Sequence, residues 1–190
     1  MSSTKSLHYD LCCKAAKWLR QRKNRERMSS GWKYVTVELN VVGAESADVW
    51  AFNGEHTVMI EVKTSRNDFL RDKKKFWRQD GSEEYRCGNY RYYLAPEGII
   101  KKEDLPENWG LLEWNGKEIS RVIDATLVET NGTSDMRILS SLLRREKFKE
   151  GIYNYRGTNT TIKHKDTKLF YKKKSEDFQF SDFFRIFAAK

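Results

Sequence analysis

The 190-residue sequence contains no long apolar run. No segment approaches the roughly 20 apolar residues of a membrane-spanning helix, and the N-terminal stretch lacks the apolar core of a secretory signal. A soluble cytoplasmic chain with no membrane partner is the expectation. Cysteine is scarce and odd in number, at Cys12, Cys13 and Cys87, with no CxxC spacing. These read as reduced thiols, neither a disulfide framework nor a zinc site. The three histidines, His8, His56 and His164, are scattered and form no metal or nuclease motif. There is no internal repeat. Asn131-Gly-Thr and Asn159-Thr-Thr match the glycosylation sequon without a secretory context to give it meaning.

What the chain does have is positive charge. Its 36 lysines and arginines against 27 acids leave +9 at pH 7, which points to a polyanionic partner, nucleic acid ahead of an anionic membrane. The plainer alternative is a basic but solvated surface. The charge is uneven. From Arg144 to Lys190 there are 13 basic residues against 6 acids, so +7 of the +9 sits in the last quarter. A hydrophobic share of 38% with 13% aromatics is ample for a core and argues against global disorder. The economical division is one domain over residues 1–149 and a basic, aromatic extension over 150–190. That extension ends in an aromatic cluster from Phe178 to Phe187, the place where a second copy or a protein partner would dock.

Periodicity gives the order of elements. Leu7, Leu11, Ala15, Trp18 and Leu19 form one stripe of a helix from about Leu7 to Gln21. Lys33 to Val42 alternates as a half-buried strand, with Val35, Val37, Leu39 and Val41 on one side and Thr36 and Glu38 on the other. Two further strands, at about 47–52 and 57–63, flank Asn53-Gly54, a strong hairpin dipeptide. A second helix is expected from about Asp68 to Gln79, capped by Asn67 or Asp68, with Phe69, Leu70, Lys73, Phe76 and Trp77 inward. Strands follow at 90–95, 110–114 and 119–122. A third helix, capped at Ser134-Asp135, carries Ile138, Leu139, Leu142 and Leu143 on its apolar face.

The hairpin concentrates the chemistry. With Asn53-Gly54 as a two-residue turn, Trp50 pairs with Thr57 and Asp48 with Met59. Asp48, Met59, Glu61 and Lys63 then share one face, and Asp48 and Glu61 are diagonal neighbours about 7–8 Å apart. A four-residue loop would set Asp48 directly opposite Glu61 on the same face; the register stays open. Two carboxylates so placed can converge on one Mg²⁺ or Mn²⁺, with the Val62 carbonyl as a further ligand. Lys63, one step along, can contact a scissile phosphate or an attacking water. Glu38 joins the metal site or orients a water, and Asp10 is a weaker candidate for that role. The basic cluster Arg66, Arg71, Lys73, Lys74, Lys75 and Arg78 can hold phosphates over the metal without specifying sequence. The bland reading of each is a solvated surface or an ion pair, because D-x(12)-E-x-K is a permissive pattern.

The order α-β-β-β-α-β carrying Asp48…Glu61-Val62-Lys63 resembles the PD-(D/E)xK nuclease superfamily. Glu61 to Lys73, Tyr90 to Gly98 and Leu105 to Leu112 look like its MmcB-type DNA-repair and phage-encoded branch. The resemblance covers roughly residues 7–145, with Ala47 where the name has proline. It implies an α/β (α+β) restriction-endonuclease-like core, a central mixed sheet flanked by helices. It further implies a Mg²⁺-dependent deoxyribonuclease, an endonuclease rather than an exonuclease, in DNA repair, recombination or phage DNA processing. Asp48 and Glu61 would be metal ligands and Lys63 catalytic, and Glu38 matches an acidic position in the preceding strand. The alternative is a module of the same fold that binds nucleic acid without cutting it.

Overall fold

A computed structural model of the chain describes residues 6–21, 31–75, 78 and 81–146. The chain divides into two compact units, Met1–Arg145 and Glu146–Lys190, and all described residues but Glu146 belong to the first. The expected extension from residue 150, with its aromatic cluster, lies outside the described residues, as do Phe76 and Trp77.

The fold is mixed α/β. Helix α1 (Leu7–Arg20) precedes strands β1 (Tyr34–Val37), β2 (Val49–Phe52) and β3 (Thr57–Val62). Helix α2 (Arg66–Asp72) leads to β4 (Tyr90–Pro96), β5 (Trp109–Trp114), β6 (Ile119–Ile123) and helix α3 (Thr133–Arg145). The six strands form one sheet in chain order. β1, β2 and β3 pair antiparallel, β4 is parallel to both β3 and β5, and β6 returns antiparallel to β5. Parallel strands are found where both faces of a sheet are covered, and β4 is buried at every position but its last, Pro96.

Two cores sandwich that sheet. On one face Leu11, Ala15, Trp18 and Leu19 of α1 pack against Val49, Ala51, Val58, Ile60 and Val62. On the other, Phe69 of α2 and Ile138 of α3 meet Trp50, Met59, Tyr93 and Leu111. The face shared by Asp48, Met59 and Glu61 is therefore a second core with a polar end.

Several boundaries depart from the sequence reading for identifiable reasons. Leu7 is exposed, and Cys12 takes its place in the buried stripe of α1. β1 stops after Val37 because Glu38 adopts a positive φ of 50°. The same alternation continues past it, but Val35 and Val37 feed the first core while Leu39 and Val41 feed the second. α2 is capped by Ser65, whose hydroxyl accepts from the Asp68 N–H, in place of Asn67 or Asp68. It ends at Asp72, so Leu70 and Lys73 are exposed and only Phe69 of the expected stripe is shown buried. Ser134 and Asp135 lie inside α3 and are buried, and the Thr133 N–H donates to Asn131 Oδ1. Among the described residues no helix is long and apolar enough to cross a membrane.

Candidate functional site

The β2–β3 link sets the geometry. Asn53 Oδ1 accepts from the N–H groups of Glu55 (2.9 Å) and His56 (2.8 Å). The Asn53 N–H donates to the His56 carbonyl. The connection thus has four residues, and Trp50 pairs with Met59 instead of Thr57. Val49 faces Ile60, so one step back Asp48 stands opposite Glu61 instead of diagonal to it. Residues directly opposite have Cβ atoms about 4.5–5.5 Å apart. A slip of two residues preserves the faces, so Asp48 and Glu61 still share one. Asp48 Oδ2 accepts the Val62 N–H at 2.7 Å.

Glu61 and Lys63 sit in a buried ion network. Lys63 Nζ is 2.9 Å from Glu61 Oε2 and 2.9 Å from Asp72 Oδ1. Arg78 reaches Asp72 Oδ2 with Nε at 2.9 Å, Glu61 Oε1 with Nη2 at 3.2 Å, and Glu45 with Nη1. Arg91 also pairs with Glu45. The Tyr93 hydroxyl donates to Asp72 Oδ2 at 2.7 Å. Arg78 and Arg91 both lie over the Trp109 ring, at 4.7 and 4.6 Å from its centre.

The network moves proton affinities in opposite directions. Burial and the nearby Asp48 charge raise the Glu61 carboxyl to about 7, against the pull of Lys63 and Lys75. Burial alone would lower Lys63, but Glu61 and Asp72 outweigh it and hold the ammonium well above its ordinary value. Asp72 is also buried, yet Lys63 and hydrogen bonds from Lys75, Lys63 and Tyr93 keep it below the usual carboxylate range.

The outer edge of the site faces solvent. The Asp48 side chain is 21% exposed against 1% for Glu61. His8 Nε2 stands 3.3 Å from Asp48 Oδ2, and His8 Nδ1 is 3.6 Å from Glu38 Oε1. Glu38 therefore lies beside Asp48 at the exposed rim. Asp10 is engaged with Lys14 one helical turn on, away from the site.

A hard cation fits this corner. Asp48 and Glu61 supply two adjacent carboxylates, and the buried Glu61 Oε1 has the Arg78 ion pair at 3.2 Å but no hydrogen bond. The Val62 N–H points at Asp48, and in an extended strand a residue's carbonyl leaves on the same edge as its N–H. A divalent ion there would offset the repulsion that raises Glu61, in competition with Lys63 and Arg78.

The predicted basic cluster disperses. Arg78 is 6% exposed and spent on Glu45, Glu61 and Asp72, which removes it from any phosphate surface. Lys75 bridges Asp72 at 2.8 Å and Glu61 at 3.6 Å. Arg66 pairs with Asp104, and Lys73 lies over Phe69. Arg71 and Lys74 remain at the surface, around a shallow depression with Asn67 and Leu70. Sequence reasoning missed Glu45, Asp72, Arg91, Tyr93 and Trp109. Glu45 sat in an apparent turn, Asp72 off the inward stripe of the expected helix, Arg91 and Tyr93 in an apparent core strand, and Trp109 just before the strand expected from 110. The one available signal was a charged residue, Arg91, in the middle of an otherwise apolar strand.

No protein-family model matches the sequence, and no curated protein matches it. The chain is similar to a solved structure, the SPO1766 protein of unknown function from Silicibacter pomeroyi, at a TM-score of 0.45 and 20% identity. The match covers 60% of this chain and 75% of that one. A likeness of this degree carries no argument about activity.

Proposed function

We propose that the chain is a Mg²⁺- or Mn²⁺-dependent deoxyribonuclease with a PD-(D/E)xK, restriction-endonuclease-like core, acting in DNA repair, recombination or mobile-element processing. The observation that carries this reading is the pairing of Asp48 with Glu61 across one rung of the sheet, with Lys63 Nζ 2.9 Å from the Glu61 carboxylate. Asp48, Glu61 and the Val62 carbonyl would hold the cation. That cation would supply Lewis acidity and a more acidic bound water. Lys63, its charge favoured by Glu61 and held by Asp72, would stabilise negative charge developing on the phosphate. Tyr93 fixes Asp72 and, through it, Lys63. Glu38 at the rim can orient water, and the exposed Arg71 and Lys74 can position the backbone of the nucleic acid.

A second reading has its own support. Lys63 is clamped by two carboxylates and Glu61 touches three cations, a charge cluster that is coherent without metal. On that reading the protein binds nucleic acid and does not cut. Incubation of the purified protein with duplex, nicked, branched and single-stranded DNA, with Mg²⁺, Mn²⁺ or EDTA, separates the two. Metal-dependent cleavage abolished in Asp48→Asn is the expected result. Cleavage that persists in that variant rules out the assigned site, and DNA binding without cleavage under every metal selects the second reading.

A further inference from the structure

The geometry points to a second metal site, for Zn²⁺ or a similar borderline-soft divalent ion, formed by His8, Cys12 and Glu38 at the rim of the nuclease centre.

His8 and Cys12 are one helical turn apart on α1, so their side chains meet on one face. The bend at Glu38 brings a carboxylate to the same point. His8 Nδ1 is 3.7 Å from Cys12 Sγ and 3.6 Å from Glu38 Oε1. The donor atoms of all three residues lie within 4.8 Å of one another. A tetrahedral zinc with bonds of about 2.3 Å to sulfur and about 2.0–2.1 Å to nitrogen and oxygen needs donors about 3.3–3.6 Å apart. The two separations from His8 Nδ1 are within a few tenths of an ångström of that requirement, and the Cys12 and Glu38 donors, within 4.8 Å of each other, close onto the ion by side-chain rotation.

The other nitrogen of His8 supplies the second, independent observation. With Nδ1 turned to Cys12 and Glu38, Nε2 stands 3.3 Å from Asp48 Oδ2. A metal-bound histidine characteristically donates its remaining ring N–H to a carboxylate, which fixes its tautomer and orientation. Asp48 is in that position. Three protein ligands leave the fourth corner for water, and His8 and Glu38 are both partly open to solvent, so an ion has a route in. One sulfur, one nitrogen and one oxygen favour zinc over magnesium, in contrast to the all-oxygen corner at Asp48, Glu61 and Val62.

The site has a consequence for the nuclease reading, on which this step rests. Asp48 faces His8 through Oδ2, so one carboxylate joins the two metal sites and binding at either changes the charge felt at the other.

Co²⁺ is the probe, because cobalt bound to a thiolate gives a charge-transfer absorption that Mg²⁺ cannot. One equivalent added to the metal-stripped full-length chain is expected to give that band in the wild type and in Cys13→Ser and Cys87→Ser, and none in Cys12→Ser. His8→Gln alters a half-exposed side chain and guards against a folding defect in Cys12→Ser; it should weaken Co²⁺ binding by about tenfold or more. Asp48→Ala, which removes the orienting carboxylate, should weaken it about 10–100-fold. A band that survives Cys12→Ser, or no band in the wild type, overturns the site; an unchanged affinity in Asp48→Ala overturns the coupling to Asp48. The readout needs no cleavage. Its failure would leave the nuclease reading intact, and a failure to cut DNA would leave this site standing.

Discussion

Lys63 stands between two carboxylates in a place water hardly reaches, which makes it costly to remove for reasons unrelated to catalysis. Breaking a buried ion pair from one side costs about 3–5 kcal/mol, because the partners are left charged and unpaired. Lys63→Ala should therefore lower the thermal midpoint markedly as well as abolish cleavage. Asp48→Asn keeps an acceptor for the Val62 N–H, so it should abolish cleavage with little change in midpoint. Thermal unfolding run beside the cleavage assay tests both, and an inactive Asp48→Asn that is also unfolded would defeat the distinction. Glu61 adds a pH dependence. Its carboxyl rises from 4.5 to about 7 on folding. Between those values the folded state holds a proton that the unfolded chain has released. Glu61 therefore favours folding as pH falls through this window and opposes it above about 7. Asp72 runs the other way, its contribution lost only below its ordinary value of 3.8. Because a bound cation must displace the Glu61 proton, Mg²⁺ affinity should fall about tenfold between pH 8 and pH 6. A flat calorimetric profile would contradict this. At this scale Asp48, Glu61 and Lys63 were legible because sequence spacing alone puts them on one face. Glu45, Asp72 and Arg91 were not, because an ion network closed between distant segments leaves no local pattern.

Among the elements, α3 has one buried acid among its ties to the domain, beside Ser134 on the Glu84 carbonyl and Arg137 on the Gly43 carbonyl. Asp135 Oδ1 accepts the Trp50 indole N–H at 2.7 Å and the Gly88 N–H at 3.1 Å, all in buried surroundings. Asp135→Ala would strand both donors, at about 1–3 kcal/mol each. The expected signature is faster hydrogen exchange at Gly88 together with a lower midpoint; an unchanged Gly88 amide would show that α3 is held by Ile138 packing instead. The sequence suggested Asp135 as a helix cap, since an acid at a helix start usually is one, and nothing local marks it as the acceptor for an indole 85 residues away. The succession of strands along the chain and the place of the β2–β3 hairpin were legible from alternation and the Asn53-Gly54 dipeptide. The switch at Glu38 was not, because Val35, Val37, Leu39 and Val41 keep a single period of two while serving two different cores. The early end of α2 escaped notice because its continuation is rich in lysine, which is compatible with a helix.

For the molecule as a whole, the +9 net charge predicts association with DNA that weakens with salt. Of the expected cluster, Arg71 and Lys74 line the surface depression with Asn67 and Leu70. Replacing either with alanine should reduce the slope of log affinity against log salt by about 0.9, one phosphate contact each, without affecting stability. Arg78→Ala should do the opposite, lowering stability through the exposed need of Glu45 and Asp72 for a partner. Equal slopes for wild type, Arg71→Ala and Lys74→Ala would place the DNA elsewhere. The charge was legible in the composition. Its division between exposed side chains and a buried network was not, because net charge carries no information about depth.

The sheet also has an order of assembly written into it. Its flanks, β1–β2–β3 and β5–β6, are antiparallel and locally connected, and its middle consists of two parallel seams. Local hairpins form within about 1–10 μs, whereas parallel pairing waits on the closure of longer loops. Asp48 and Glu61 are thus brought together in the earliest structure, while Tyr93 and Arg91 arrive only with β4. Val58→Ala should accordingly give a higher φ-value than Leu94→Ala, and the reverse order would show that the centre nucleates first. During refolding Glu61 would be born an ordinary, water-facing carboxylate and would become a weak acid only when the last seam closes over it.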